Sequence, residues 1–180
     1  MLASLMLFPL MFAGINNAAA AEDEYTEIEA PGGRVAVFTE TPAKKGASMY
    51  CEFEIRNVNP DDDWISLIAI NLDEGELMDR DSKYLQLDMQ YLADEDETIM
   101  HAISNSGFEE DSEEPFLYHW QQADWYSLYF TWEDDGVFRY QANVGGGVVG
   151  AGVYTETDFD PRFFRVVVSG LKAGINCELE

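Results

Sequence analysis

Short apolar runs at near-regular spacing constrain this chain more than any other feature. Runs of roughly four to ten residues, rich in Val, Ile, Tyr, Phe and Trp, alternate with turns of Asp, Asn, Gly or Pro, and helical periodicity is almost absent. They fall at residues 34–38, 48–58, 64–72, 83–92, 98–104, 116–120, 125–132, 137–143, 148–155 and 163–171. About ten short strands of this kind pack as two antiparallel sheets, so the expected class is an all-β sandwich. The stretch 65–70 is almost wholly apolar, as for a strand covered on both faces. Residues 107–114 read as a polar, acidic loop, and Gly145-Gly146-Gly147 as a turn or bulge. It is not a phosphate loop, because a β-like run follows it and no Lys-Ser/Thr does.

The chain has 180 residues, and the first 21 stand outside this pattern. Residues 2–10 are nearly continuously apolar, Phe12 and Ala13 extend them, and 18–21 are all alanine. That is the layout of a secretory signal cleaved near Ala20 or Ala21, although no Lys or Arg precedes the apolar run. The alternative is a membrane anchor, but the stretch is shorter than the ~20 residues a span requires and ends in Asn16-Asn17. The expectation is a signal peptide over 1–21 and a single domain over 22–180, exported to the periplasm or the medium.

Thirty-five acidic residues face ten basic ones, for a net charge of −25, and none of these charges lies in residues 1–21. Such a field repels nucleic acid and anionic membranes, which argues against both as partners. It also disfavours acidic polysaccharides unless a cation bridges. Solubility in a salty environment is the plain alternative reading. Asp61-Asp62-Asp63 and Asp94-Glu95-Asp96-Glu97 could hold calcium through carboxylate oxygens, though neither has the glycine-punctuated spacing of an EF-hand loop. No cofactor is expected otherwise.

Cys51 and Cys177 are the only cysteines, and both sit in strand-like segments. In an oxidising compartment they would pair and tie an early strand to the last one; two buried thiols are the alternative. The absence of any CxxC or Cys/His cluster argues against zinc.

The run Leu85-Gln86-Leu87-Asp88-Met89-Gln90-Tyr91-Leu92 alternates strictly. Side chains alternate faces along a strand, so Gln86, Asp88 and Gln90 share one face while Leu85, Leu87, Met89 and Tyr91 point into the core. Three polar side chains in a row suggest a lined cleft. Gln86-Leu87-Asp88-Met89-Gln90-Tyr91-Leu92 resembles the Glu-Ile-Asp-Ile-Glu-Phe-Leu strand of family 16 glycoside hydrolases, the lichenases, laminarinases, agarases and their relatives. The flanks are similar in order and spacing over residues 34–171. Residues 48–56 resemble the strand that precedes the catalytic one by two. Residues 125–132, the turn at 133–136 and residues 137–140 resemble that family's Trp-ending hairpin, and Pro161 with 163–169 its last core strand.

The resemblance implies a concanavalin A-like jelly roll with this strand on its concave face. It implies that Gln86 stands at the nucleophile, Asp88 at the assisting carboxylate and Gln90 at the general acid/base. Retaining hydrolysis needs one ionised carboxylate and one protonated carboxyl about 5–5.5 Å apart. A glutamine amide neither ionises near neutral pH nor delivers a proton, so neither step survives. Two further positions depart from the family: Tyr126 stands where a histidine begins the Trp-ending strand, and Val168 or Ser169 where an aromatic lines the cleft.

Gln86 and Gln90 can still hydrogen-bond sugar hydroxyls, and Trp64, Trp120 or Trp125 could stack on pyranose rings or simply fill the core. Three functions remain open. One is a non-catalytic binder of β-linked polysaccharide, expected as a monomer. Another is an active, diverged hydrolase of β-glucans or galactans using acids such as Glu54, Asp73, Glu74 or Glu76. The third is an interaction protein with a decayed cleft. His101 and His119 fall in no metal or nucleophile motif, and Ser106-Gly107 and Ser169-Gly170 lack a nucleophile-elbow context.

Overall fold

Alternation along each run decides which side it buries, and the strands sort into two antiparallel sheets. The computed structural model describes residues 25–58, 66–77, 82–92, 97–106, 109–114, 125–133, 136–145, 147–155 and 158–180. Its strands are β1 (Thr26–Glu29), β2 (Val35–Pro42), β3 (Ser48–Val58), β4 (Ser66–Asp73), β5 (Lys83–Leu92), β6 (Glu97–Ser106), β7 (Glu109–Glu114), β8 (Tyr126–Trp132), β9 (Val137–Val144), β10 (Gly147–Thr155), β11 (Phe163–Ser169) and β12 (Leu171–Leu179). One six-stranded sheet has the order β1-β12-β3-β8-β9-β10 and the other β2-β11-β4-β5-β6-β7. These are called sheets A and B. The expected signal peptide, Trp64, Trp120, His119, the acidic segment at 61–63 and Asp94-Glu95-Asp96 lie outside the described residues.

The core fills the space between the inner faces. Sheet A contributes Met49, Cys51, Phe53, Leu128, Phe130, Trp132, Phe138 and Ile175; sheet B contributes Ile68, Ile70, Leu72, Leu85, Leu87, Met89, Phe164, Val166 and Val168. Each fully buried large side chain contributes about 1.5–3 kcal/mol by removal from water. Aromatic pairs add geometry to this: Phe53 stacks on Tyr126, and Trp132 on Phe138. Tyr91, expected in the core, is only half-buried and stands outside the core cluster.

Cys51 and Cys177 are directly opposite in the β3–β12 register, with Cα atoms 4.1 Å apart, and form a disulfide. The pairing expected from the sequence is present.

Three assignments change. Residues 109–114 form strand β7 on the edge of sheet B instead of a loop; β6 supplies its hydrogen bonds, which composition does not report. The run 163–171 divides at Gly170, where φ is +60°, and the chain passes from β11 in sheet B to β12 in sheet A. Glycine is required there, because a Cβ would meet Ser66 Oγ, which donates a hydrogen bond to the Gly170 carbonyl. Finally, Thr26–Glu29 adds β1, which the apolar-run pattern missed, by pairing with β12.

Candidate functional site

Strand β5 covers the expected residues, and the two faces fall as its alternation requires. Leu85, Leu87 and Met89 join the core. Gln86, Asp88 and Gln90 lie on the outer face of sheet B. Asp88 Oδ2 accepts hydrogen bonds from Gln86 Nε2 at 2.5 Å and Gln90 Nε2 at 3.2 Å. A carboxylate cannot donate, so these bonds fix both amides with their nitrogens turned toward Asp88 and their carbonyl oxygens turned away. Asp88 therefore positions the two glutamines. It is fully buried and Gln90 is nearly so, whereas Gln86 is half-buried. The row is thus a covered polar seam, not a uniformly open cleft, with Gln86 as its most accessible member.

Register places its neighbours. Glu40, Arg165, Asn71, Gln86 and Ile103 form one rung across β2, β11, β4, β5 and β6. Val167, Ala69, Asp88 and His101 form the next, so His101 occupies the position directly opposite Asp88. The rung after that runs Ser169, Leu67, Gln90 and Ile99. Ala69 and Val167 are buried without belonging to the inter-sheet core, as are the polar Asn71, Asp73, Arg165 and Ser169. Of the two residues proposed to replace a cleft aromatic, Ser169 is on this face and Val168 is in the core.

Two residues of this face were not singled out from the sequence. Arg165 is 3% exposed and donates to Glu40, to Asp73 and to the Gly75 carbonyl, with its guanidinium 4.6 Å from the Phe163 ring centre. Burial pushes the Asp73 carboxyl above the usual aspartate range, and the Arg165 bonds only partly offset that. Asn71 is the second: its Oδ1 is buried and, among the described residues, no group donates to it. A buried amide oxygen left without a donor costs on the order of 1–3 kcal/mol. Both had a visible signal, since each is a polar residue inside an otherwise apolar strand run.

Other candidates fall elsewhere. Trp125 precedes β8 in sheet A, its carbonyl accepting from the Gly145 amide, so it does not join Gln86, Asp88 and Gln90. Tyr126 is a core residue stacked on Phe53, not a cleft residue. Glu54 belongs to β3 in sheet A, beside Arg56 at 3.8 Å. Glu74 accepts from the Asp160 amide, and Glu76 is exposed. Asp73 lies on the same face as Asp88 but four residues along the ladder, roughly 13 Å away at ~3.4 Å per residue. That exceeds both the about 5–5.5 Å of retaining pairs and the ~6.5–9.5 Å of inverting ones. Among the described residues no group of three or more His, Cys, Asp or Glu could hold a metal ion, and no helix is long and apolar enough to cross a membrane.

The outer face of sheet A is also polar; several of its side chains bond one another, while Thr131 Oγ1 is buried there with no partner among the described residues. Gln141 donates to Asn143, Asn143 donates to Ser127, and Tyr50, bonded to Ser127, donates to Glu52. Burial, then the bond to Glu52, pushes the Tyr50 hydroxyl up to about 12. The row of Gln86, Asp88 and Gln90, bonded through Asp88 with Gln86 half-exposed at its end, makes the sheet B face the candidate site.

No protein-family model matches the sequence, and no curated protein matches it. Solved structures do match. The legume lectin-like domain from Entamoeba histolytica superposes with TM-score 0.57 at 11% identity, over 87% of this chain and 84% of that one. The fold is a concanavalin A-like jelly roll. A variant of human galectin-16 matches with TM-score 0.51 at 12% identity, over 79% of this chain and 94% of that one. An alginate lyase from Pseudomonas aeruginosa matches with TM-score 0.52 at 12% identity, over 76% of this chain and 64% of that one. At such identities the likeness establishes the architecture and nothing finer.

Proposed function

We propose that this chain is an exported, single-domain protein that binds an uncharged β-linked glycan on the outer face of sheet B without cleaving it. The observation that carries the reading is the seam itself. Asp88 orients Gln86 and Gln90, and the register partner of Gln86 is Asn71, whose buried oxygen lacks a donor among the described residues. Amide groups held in this way suit sugar hydroxyls, which both donate and accept. The likeness to a lectin-like domain and to an alginate lyase supports carbohydrate as the partner class. Acidic glycans are disfavoured by the net charge of −25.

The resemblance of β5 to the family 16 hydrolase strand supports descent from an enzyme whose two glutamates became Gln86 and Gln90. Asp88 keeps its carboxylate while the two positions that supply nucleophile and acid/base in that strand are amides, and Asp73, the carboxyl on the same face of β4, lies beyond the spacing of a catalytic pair. Gln86 is the accessible contact, and Asp88 holds it and Gln90 in place.

Calorimetric titration with laminarihexaose, mixed-linkage β-glucan oligosaccharides and galacto-oligosaccharides, with reducing ends followed in parallel, tests this. The expected result is binding to at least one series, no release of reducing ends, and about tenfold weaker binding in Gln86→Ala. Asn71→Leu should unfold at a higher temperature, because it removes an unmet buried amide oxygen. Hydrolysis by the unmodified protein would overturn the non-catalytic reading. Failure to bind any of the three series would favour an interaction protein with a decayed cleft.

A further inference from the structure

Among the described strands, two open sheets leave four edges, and an edge strand with unpaired backbone groups is a template for pairing unless something blocks it. Three of the four are blocked. β1 has only four residues, two of them Glu27 and Glu29. β2 ends in Glu40 and Pro42 and is interrupted by a bulge opposite Val166 and Val167. β7 reads Glu-Glu-Asp-Ser-Glu-Glu.

β10 has one irregularity, a bulge against β9 between Val148 and Gly150, which leaves Gly150–Thr155 in regular register, and it lacks the charges and the proline that guard the other edges. It spans nine residues, Gly147–Thr155, with no charge and no proline. The charge-free stretch is longer still, covering 140–155 in a chain that is 25% charged. β10 pairs with β9 on one side and, among the described strands, with nothing on the other. Val148 and Val153 are 61% and 51% exposed. The strand is also held firmly from within, because the Tyr140 side chain occupies the space that a Cβ on Gly152 would need.

We propose that β10 is a self-association edge, pairing antiparallel with β10 of a second copy so that sheet A continues across two molecules. The charge distribution selects this occupant. A cationic partner would be attracted almost anywhere on a surface of net charge −25, and a neutral window offers it nothing. A second copy is repelled everywhere else, and only a neutral edge lets it approach. Identical strands paired antiparallel about a two-fold axis are self-complementary, and the dimer closes. It replaces the monomer expected from the sequence, and it does not depend on the glycan-binding reading.

Salt dependence gives the test its sign. The contact is backbone pairing plus valine burial, opposed by long-range repulsion, so screening strengthens it. Sedimentation velocity on the purified protein at concentrations on the order of 100 µM, in about 0.05 M and about 0.5 M NaCl, should show a dimer fraction that grows with salt. Val148→Glu/Val153→Glu, placed on exposed positions, should sediment as a monomer in both salts with its circular dichroism unchanged. Hydrogen exchange provides a second readout that needs no variant: amides within 147–155 should gain protection with increasing protein concentration. A monomer under all conditions, a dimer that persists in the double variant, a dimer weakened by salt, or concentration-independent exchange would each overturn the proposal.

Discussion

Reduction of the bridge between Cys51 and Cys177 offers a quantitative test of how this sandwich is held together. The two cysteines are 126 residues apart in sequence and directly opposite in the β3–β12 register. Strand pairing already places them, so the covalent bond chiefly restrains the unfolded chain. Closing a loop of that length removes unfolded-state entropy equivalent to about 5 kcal/mol near room temperature. Domains of this size have total stabilities of only ~5–15 kcal/mol, so the bridge is a large fraction of the whole. Cys51 is fully buried, so reductant should be added to the unfolded protein before refolding. Urea unfolding of the oxidised and reduced forms, followed by tryptophan fluorescence, should differ by roughly 4–5 kcal/mol, or a midpoint shift of about 2–3 M. The thermal midpoint should fall by roughly 10–20 °C. The oxidised form should also give the smaller denaturant slope, because its unfolded state exposes less surface. A stability difference below about 1 kcal/mol with equal slopes would refute the reasoning, since the reduced unfolded ensemble would then hold β3 and β12 together unaided.

Two further outcomes follow from the titrating and charged groups. In spectrophotometric titration one tyrosine should ionise near pH 12, and Tyr50→Phe should remove that phase. Because the folded value lies above the ordinary 10, the stability Tyr50 contributes is complete below pH 10 and lost as pH rises toward 12; Tyr50→Phe should flatten that decline. Asp73→Ala leaves the buried Arg165 with Glu40 as its one carboxylate partner among the described residues and should cost about 3–5 kcal/mol in urea unfolding, whereas Asp73→Ala with Arg165→Met should recover much of it. Equal losses in the single and double variants would show that packing, not the lone buried cation, sets the cost.

How much was legible in the sequence differs from element to element. The faces of β5 were readable because strict polar–apolar alternation from Leu85 to Leu92 admits only one assignment of sides. The boundaries of β3 were readable for a related reason, ending at Asn59-Pro60-Asp61. Residues 109–114 were not, because five acids and a serine have no β-like composition and become a strand only through pairing with β6. Gly170 was hidden inside an apolar run, since its break depends on a positive φ and on Ser66, more than a hundred residues away. Trp125 looked like a candidate for the site until its place just ahead of β8 set it at the end of a strand of sheet A. Arg165 reaches across 125 residues to Glu40 and 92 to Asp73, a bracket that no local window reveals.

Taken alone, the sequence determined the all-β class, the two faces of β5, the acidic field and the presence of two pairable cysteines. Each of these is a local or compositional property, set by side-chain alternation, turn chemistry or a sum of charges. Only the tertiary structure decided that the outer face of sheet B is a buried seam with Gln86 at its accessible end. It alone decided that Asn71 and Arg165 flank that seam, and that β10 is the one uncharged edge among the described strands. Burial and register arise when strands distant in sequence are laid side by side. A period-two pattern says which residues share a face, but not what that face will meet.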